Sequence, residues 1–153
     1  MLVTTSLIVG GAENQVYLLA KWFRRLGHDV AIVSLTEPYA YVEELKDLGI
    51  SVHSLHMRHR PSDVLAFPQL ARLVRQWKPD VLHAHMFHAI SVSRMVRLFA
   101  PVPILISTTH NFAPESRFRT LFYRFTDRLG TITTNVSQAG TAQYVQRGAA
   151  PEA

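Results

Sequence analysis

Six times along its 153 residues, this chain passes from a short apolar run into a longer run whose apolar residues recur three and four positions apart. The short runs are rich in Val and Ile, the β-branched types that suit a pleated strand. The longer runs carry the spacing of a helix with one buried stripe. The alternation predicts strands at 2–9, 29–35, 50–55, 81–84, 104–108 and 131–136. Helices are predicted at 12–26, 39–48, 64–77, 89–99, 114–129 and 138–147. In the first helix Val16, Leu19, Ala20 and Phe23 form the stripe, and Gly27 ends it; Gly49 ends the second. A basic, proline-containing loop occupies 58–63. Strand-helix alternation of this kind builds βαβ units. The expected fold is therefore an α/β, Rossmann-like parallel sheet of about six strands with helices on both faces.

Composition narrows the class further. The 48% hydrophobic and 18% charged shares are those of a globular domain, and the length is that of one domain. There is no cysteine, which excludes disulfides and cysteine-based zinc sites. No apolar run reaches the roughly 18–20 residues of a membrane span. The start, MLVTTSLIVGGAE, carries no basic segment and leads straight into a helix pattern, so it reads as a strand. The net charge of +5 favours acidic partners such as phosphates or anionic lipid. No nucleic-acid module is present, so nucleic acid is not an expected partner.

In a parallel sheet, ligands collect beyond the carboxyl ends of the strands. The polar motifs of this chain fall there. Gly10-Gly11-Ala12-Glu13 joins the first strand to the first helix. Its glycines permit positive φ and close approach of a ligand, and the helix N-terminus offers free N–H groups to a phosphate or sugar hydroxyl. A plain tight turn is the equal alternative. It is not the full dinucleotide fingerprint, since the third glycine is missing.

His83 and His85 share one face of the fourth strand, and His88 follows three positions later. A His-x-His pair can bind zinc, but no carboxylate lies between Asp80 and Glu115, so hydrogen-bonding histidines are favoured and no metal is assigned. Ser107-Thr108-Thr109-His110-Asn111 leads out of the fifth strand. His110 at its tip is either a hydrogen-bonding or acid–base group in the crevice or a loop residue capping backbone.

The run 115–129 carries Phe118, Leu121, Phe122, Phe125 and Leu129 as one stripe, with Arg117, Arg124 and Arg128 on another face. Packing of that stripe into the core is favoured over an anionic membrane surface. Arg58, Arg60, Arg94 and Arg97 are read as further basic surface.

Taken together, VGGAENQVYLLAKWFRRLGHDVAIVS, KPDVLHAHMFHA, STTHN and TTNVSQAGTAQYVQRGAAPEA resemble the N-terminal domain of family 4 retaining glycosyltransferases. The likeness runs over almost the whole chain and implies one half of a GT-B fold. It implies transfer of a sugar from a nucleotide-sugar donor to a glycan or lipid-linked acceptor, with retention at the anomeric carbon. It implies His110 beside the reacting sugar as the catalytic residue. Gly10, Gly11 and Glu13 would face donor phosphates and acceptor, with His85 and Asn111 also binding substrate and Ser137 opening the last helix. No cofactor and no metal are implied.

The family's donor motif, E-x7-E, belongs to a C-terminal domain, and nothing in 1–153 matches it. The expectation is an acceptor-side half that is inactive alone, cytoplasmic, and peripheral at the inner face of a membrane. The competing readings are a stand-alone Rossmann-like nucleotide- or phosphate-binding module and a histidine-metal hydrolase.

Overall fold

Residues 1–58, 63 and 65–150 are described by the structure, a computed structural model. The strands are β1 (Leu2–Thr4), β2 (Ala31–Ser34), β3 (Ser51–Ser54), β4 (Val81–His85), β5 (Ile104–Thr109) and β6 (Ile132–Asn135). The helices are α1 (Gly11–Arg25), α2 (Val42–Asp47), α3 (Ala66–Trp77), α4 (Phe87–Val96), α5 (Arg117–Thr126) and α6 (Gln138–Gln146). All strand pairs are parallel, in the order β3-β2-β1-β4-β5-β6. The order reverses between β1 and β4, which opens a crevice at their carboxyl ends. The basic loop predicted at 58–63, Arg60 in it, and the start of the third helix at 64 fall largely outside the described residues.

Strand periodicity sorts the side chains into two layers. Leu2 and Ile32 point to one face, where Val16 and Ala20 of α1 and Leu45 of α2 cover them. Val3, Val33, Leu82 and Leu105 point to the other, under Leu70 and Val74 of α3 and Ile90 of α4. Each such fully buried side chain contributes about 1.5–3 kcal/mol. Gly27 and Gly49 end α1 and α2 as predicted, at φ 86° and 70°. In each case the next N–H reaches back five residues, His28 to Phe23 and Ile50 to Leu45, closing a left-handed helix stop that only glycine enters freely.

The structure corrects several expectations. β1 ends at Thr4 rather than at 9, because the chain turns there: Thr4 Oγ1 donates to the Ser6 carbonyl, and the Leu7 carbonyl accepts from Tyr39 and Ala40. α5 begins at Arg117 rather than 114, where Ser116 Oγ accepts from the Arg119 N–H as its cap.

Most of the apolar stripe of α5 does not pack into the core; Phe122 alone of it meets Phe87 edge-on, and Leu129 is half-buried. Phe118, Leu121 and Phe125 are exposed, and Tyr123 alone of the helix is buried. The helix is turned by Tyr123, which packs edge-on against Phe87 and Tyr144.

Arg94 is not basic surface. It is fully buried and donates to Ser107 Oγ, the Tyr123 carbonyl, Thr126 Oγ1, Thr133 Oγ1 and Asp127 Oδ1. That network joins α4, β5, α5 and β6. Arg97 is half-buried and donates to the Leu129 and Pro103 carbonyls, while Arg58 is exposed.

Candidate functional site

The carboxyl ends of β1, β4, β5 and β6 carry Thr4, His85, Thr108 and Thr134 in register on one face. Above β5 the chain leaves the sheet at His110. A cavity of about 220 Å³ opens there, lined by Thr5, Met86, Phe87, His110, Asn111 and Arg119 among others. Of the residues predicted from sequence, His110 and Asn111 line it. Asn111 Nδ2 donates to Glu115, which also pairs with Arg119; its carbonyl accepts from Asn135 Nδ2 at 2.9 Å. The Arg119 guanidinium lies 4.6 Å from the centre of the Phe87 ring. Asn135 also donates to Thr109 Oγ1 at 2.7 Å, so the β5 and β6 tips are locked together under the cleft. Ser137 caps α6 by accepting from the Gly140 N–H, which is a structural task.

His85 is not on the cleft wall, contrary to expectation. It is 1% exposed and sits beneath His110, with its Nδ1 3.0 Å from His110 Nε2. The His83 ring is 4.1 Å from that of His85, and His83 Nε2 is 2.7 Å from Thr108 Oγ1. Thr108 Oγ1 is in turn 2.7 Å from Thr134 Oγ1. The shared face predicted for His83 and His85 is thus present, but His83 Nε2 is engaged with Thr108 and His85 Nδ1 with His110, while His85 Nε2 is buried without a partner. Among the described residues, no three His, Asp or Glu side chains converge as a metal site.

Burial and the adjacent imidazoles of His83 and His110 push His85 down to about 2. Burial, then His110 and the N-terminal ammonium, push His83 down to about 4. Burial also lowers His110, opposed by the Glu13 carboxylate. All three rings are therefore neutral near pH 7. Burial raises the Tyr123 and Tyr144 phenols, which border the same cavity and remain hydroxyls.

The glycine turn differs from its expectation. Gly10 is extended at φ −163° and Gly11 is the first helical residue, so neither uses a positive φ. Gly10 leaves room for the Glu13 carboxylate to fold back over it: a Cβ there would stand 2.4 Å from Glu13 Oε2 and displace the end of that side chain. Glu13 is 7% exposed and accepts from Ser6 Oγ at 2.6 Å. A Cβ on Gly11 would meet nothing within 4 Å, so that backbone is open. The carboxylate of Glu13 thus stands at the α1 N-terminus, where an anion would otherwise be drawn.

Sequence reasoning missed Met86, Glu115 and Arg119. Met86 takes φ 69° and ψ 157°, a region costing about 1–3 kcal/mol for a residue with a side chain. Its N–H donates to the Thr108 carbonyl and its carbonyl accepts from Ile90, which holds it at the cleft mouth. No sequence signal marks that strain. The Glu115–Arg119 pair was legible as an i,i+4 spacing.

A family model for the glycosyl transferase 4-like domain matches residues 10–152. The Anabaena protein HepE in complex with UDP shares the fold with a TM-score of 0.73 and 19% identity, over 96% of this chain and 40% of its own. The same protein with UDP and glucose gives 0.71 and 20%, over 96% and 40%. A glycosyltransferase from Rickettsia africae gives 0.76 and 18%, over 95% and 38%. The chain thus spans about 40% of the length of these structures. Its fold is one half of their GT-B architecture. No curated protein matches it.

Proposed function

The chain belongs to the glycosyl transferase 4-like family, and from that premise we propose that it is the acceptor-side half of a retaining glycosyltransferase using a nucleotide-sugar donor. The observation that carries the reading is His110, a neutral imidazole at the tip of β5, lining a cleft at the carboxyl edge of the sheet. In the transfer, the bond from the anomeric carbon to the donor's diphosphate breaks and a bond to an acceptor hydroxyl forms on the same face. The hydroxyl's proton leaves with the diphosphate. His110 stands to hydrogen-bond a hydroxyl of the reacting sugar, and Asn111 borders the same space. The donor diphosphate is held chiefly by a second domain.

The glycine turn fits this division. Glu13 folded back over Gly10 favours sugar hydroxyls there over a phosphate, since a carboxylate accepts from hydroxyls and repels anions. The same observation counts against a stand-alone phosphate-binding module. The acceptor is a glycan or lipid-linked saccharide. The exposed Phe118, Leu121 and Phe125 of α5, beside Arg117, Arg124 and Arg128, suit a contact with an anionic membrane surface on the cytoplasmic side. No described helix is long and apolar enough to cross a membrane.

The test is reconstitution. The chain is combined with a separately expressed donor-binding domain and a panel of nucleotide-sugars, with UDP-sugars first because the Anabaena neighbour binds UDP. Nucleotide release that requires both parts supports the proposal. No release with any donor, while both parts are folded and the second binds donor, overturns it.

A further inference from the structure

We infer that His85 is a positioning residue that fixes His110 as the tautomer protonated on Nδ1, so that the cleft histidine meets its ligand as a hydrogen-bond donor and not as a base.

His110 Nε2 and His85 Nδ1 lie 3.0 Å apart, and one of them must carry the hydrogen between them. Each ring holds a single hydrogen at neutral pH, because burial lowers all three imidazoles of the row. The other nitrogen of His85 decides the case. His85 Nε2 is buried and meets no donor or acceptor of the protein. If the hydrogen sat on His85 Nε2, a buried N–H would lack an acceptor. If it sits on His85 Nδ1, Nε2 is a bare lone pair, and a buried lone pair without a partner is the less costly orphan. His85 Nδ1–H therefore donates to His110 Nε2, and the single hydrogen of His110 is left on Nδ1.

The His83 ring, 4.1 Å from that of His85 and tied to Thr108, limits the freedom of the His85 ring to turn. Since Nε2 of His110 is spent on His85, Nδ1 is the ring nitrogen left for a ligand, and there it is a donor. A sugar oxygen or a developing negative charge suits it; a proton to be abstracted does not.

The tautomer is independent of the function proposed above; its consequence for transfer rests on that function. The full chain, labelled with nitrogen-15 histidine, is read by long-range proton–nitrogen NMR near neutral pH, with His110 assigned by its loss in His110→Gln. The expected result is His110 Nδ1 in the protonated range and Nε2 in the unprotonated range. In His85→Leu the two shifts should move towards each other as the lock is removed.

Protonated Nε2 on His110, shifts already averaged in the unsubstituted chain, or shifts unmoved by His85→Leu would overturn the inference. Should His85→Leu fail to fold, the spectrum of the unsubstituted chain decides alone. No donor or partner domain enters this experiment, so a failed reconstitution with the tautomer intact sinks only the functional reading.

Discussion

The two ends of the same strands are equally dry and chemically opposite. Towards their amino ends, Leu2, Ile32, Leu82 and Leu105 bury hydrocarbon between helices. A step or two further on, Thr4, Ser34, His85, Ser107 and Thr109 bury hydroxyls and an imidazole to the same degree. Ser34 Oγ and His85 Nε2 find no partner there. A dry polar atom without a partner weakens a fold, whereas a dry methyl strengthens it. The carboxyl end therefore holds geometry at the expense of stability, and the amino end supplies the stability that permits it.

Arg94 is the residue most able to break this contrast, being polar, buried and structural. Arg94→Leu strands Asp127 and four further acceptors, and urea unfolding should register a loss of about 3–5 kcal/mol. A loss under about 1 kcal/mol would show the network to be ornamental. Leu105→Ala tests the apolar end and should lose about 2–5 kcal/mol. By contrast, His85→Leu removes one unsatisfied buried nitrogen together with the hydrogen bond to His110; the two effects offset, and stability should change by less than about 1 kcal/mol. Equal losses in the two variants would erase the distinction.

Acid sharpens it. Native His83 and His85 bind protons only near about 4 and about 2, well below the ordinary histidine value of 6.5. Below 6.5 the unfolded chain takes up protons that the folded chain refuses. Stability is thus full above about pH 6.5 and falls as pH drops towards 4, by roughly 1 kcal/mol per pH unit for each histidine. Thermal melts between pH 7 and 5 should show the fall, shallower in His85→Leu; a flat profile would place these rings in water. The smallest effect on stability belongs to α5. Phe118→Ser with Phe125→Ser should leave unfolding within about 0.5 kcal/mol. The same pair should lose any binding to anionic vesicles in sedimentation. A large destabilisation would return that stripe to the core.

The alternation of apolar runs made the sheet legible, because strand and helix periods differ and glycine stops such as Gly27 are chemically specific. The α1 stripe, with Val16 and Ala20, is buried where its spacing placed it. The α5 stripe has the same spacing and is exposed at Phe118, Leu121 and Phe125, because periodicity reports a face and not what covers it. Arg94 was misread since nothing local distinguishes an arginine with five distant acceptors from one in water. His110 was legible as the first residue beyond a buried strand. The burial of His85 beneath it was not, for it depends on the pairing of β4 with β5.

The most direct test is His110→Ala measured two ways, by nucleotide release in the reconstituted pair and by urea unfolding of the chain alone. Release should fall by about 10²-fold or more, while the chain stays folded and loses about 1–3 kcal/mol, the cost of leaving the buried His85 N–H without its acceptor. Unchanged release with a folded chain would remove His110 from the chemistry and contradict the account of the cleft.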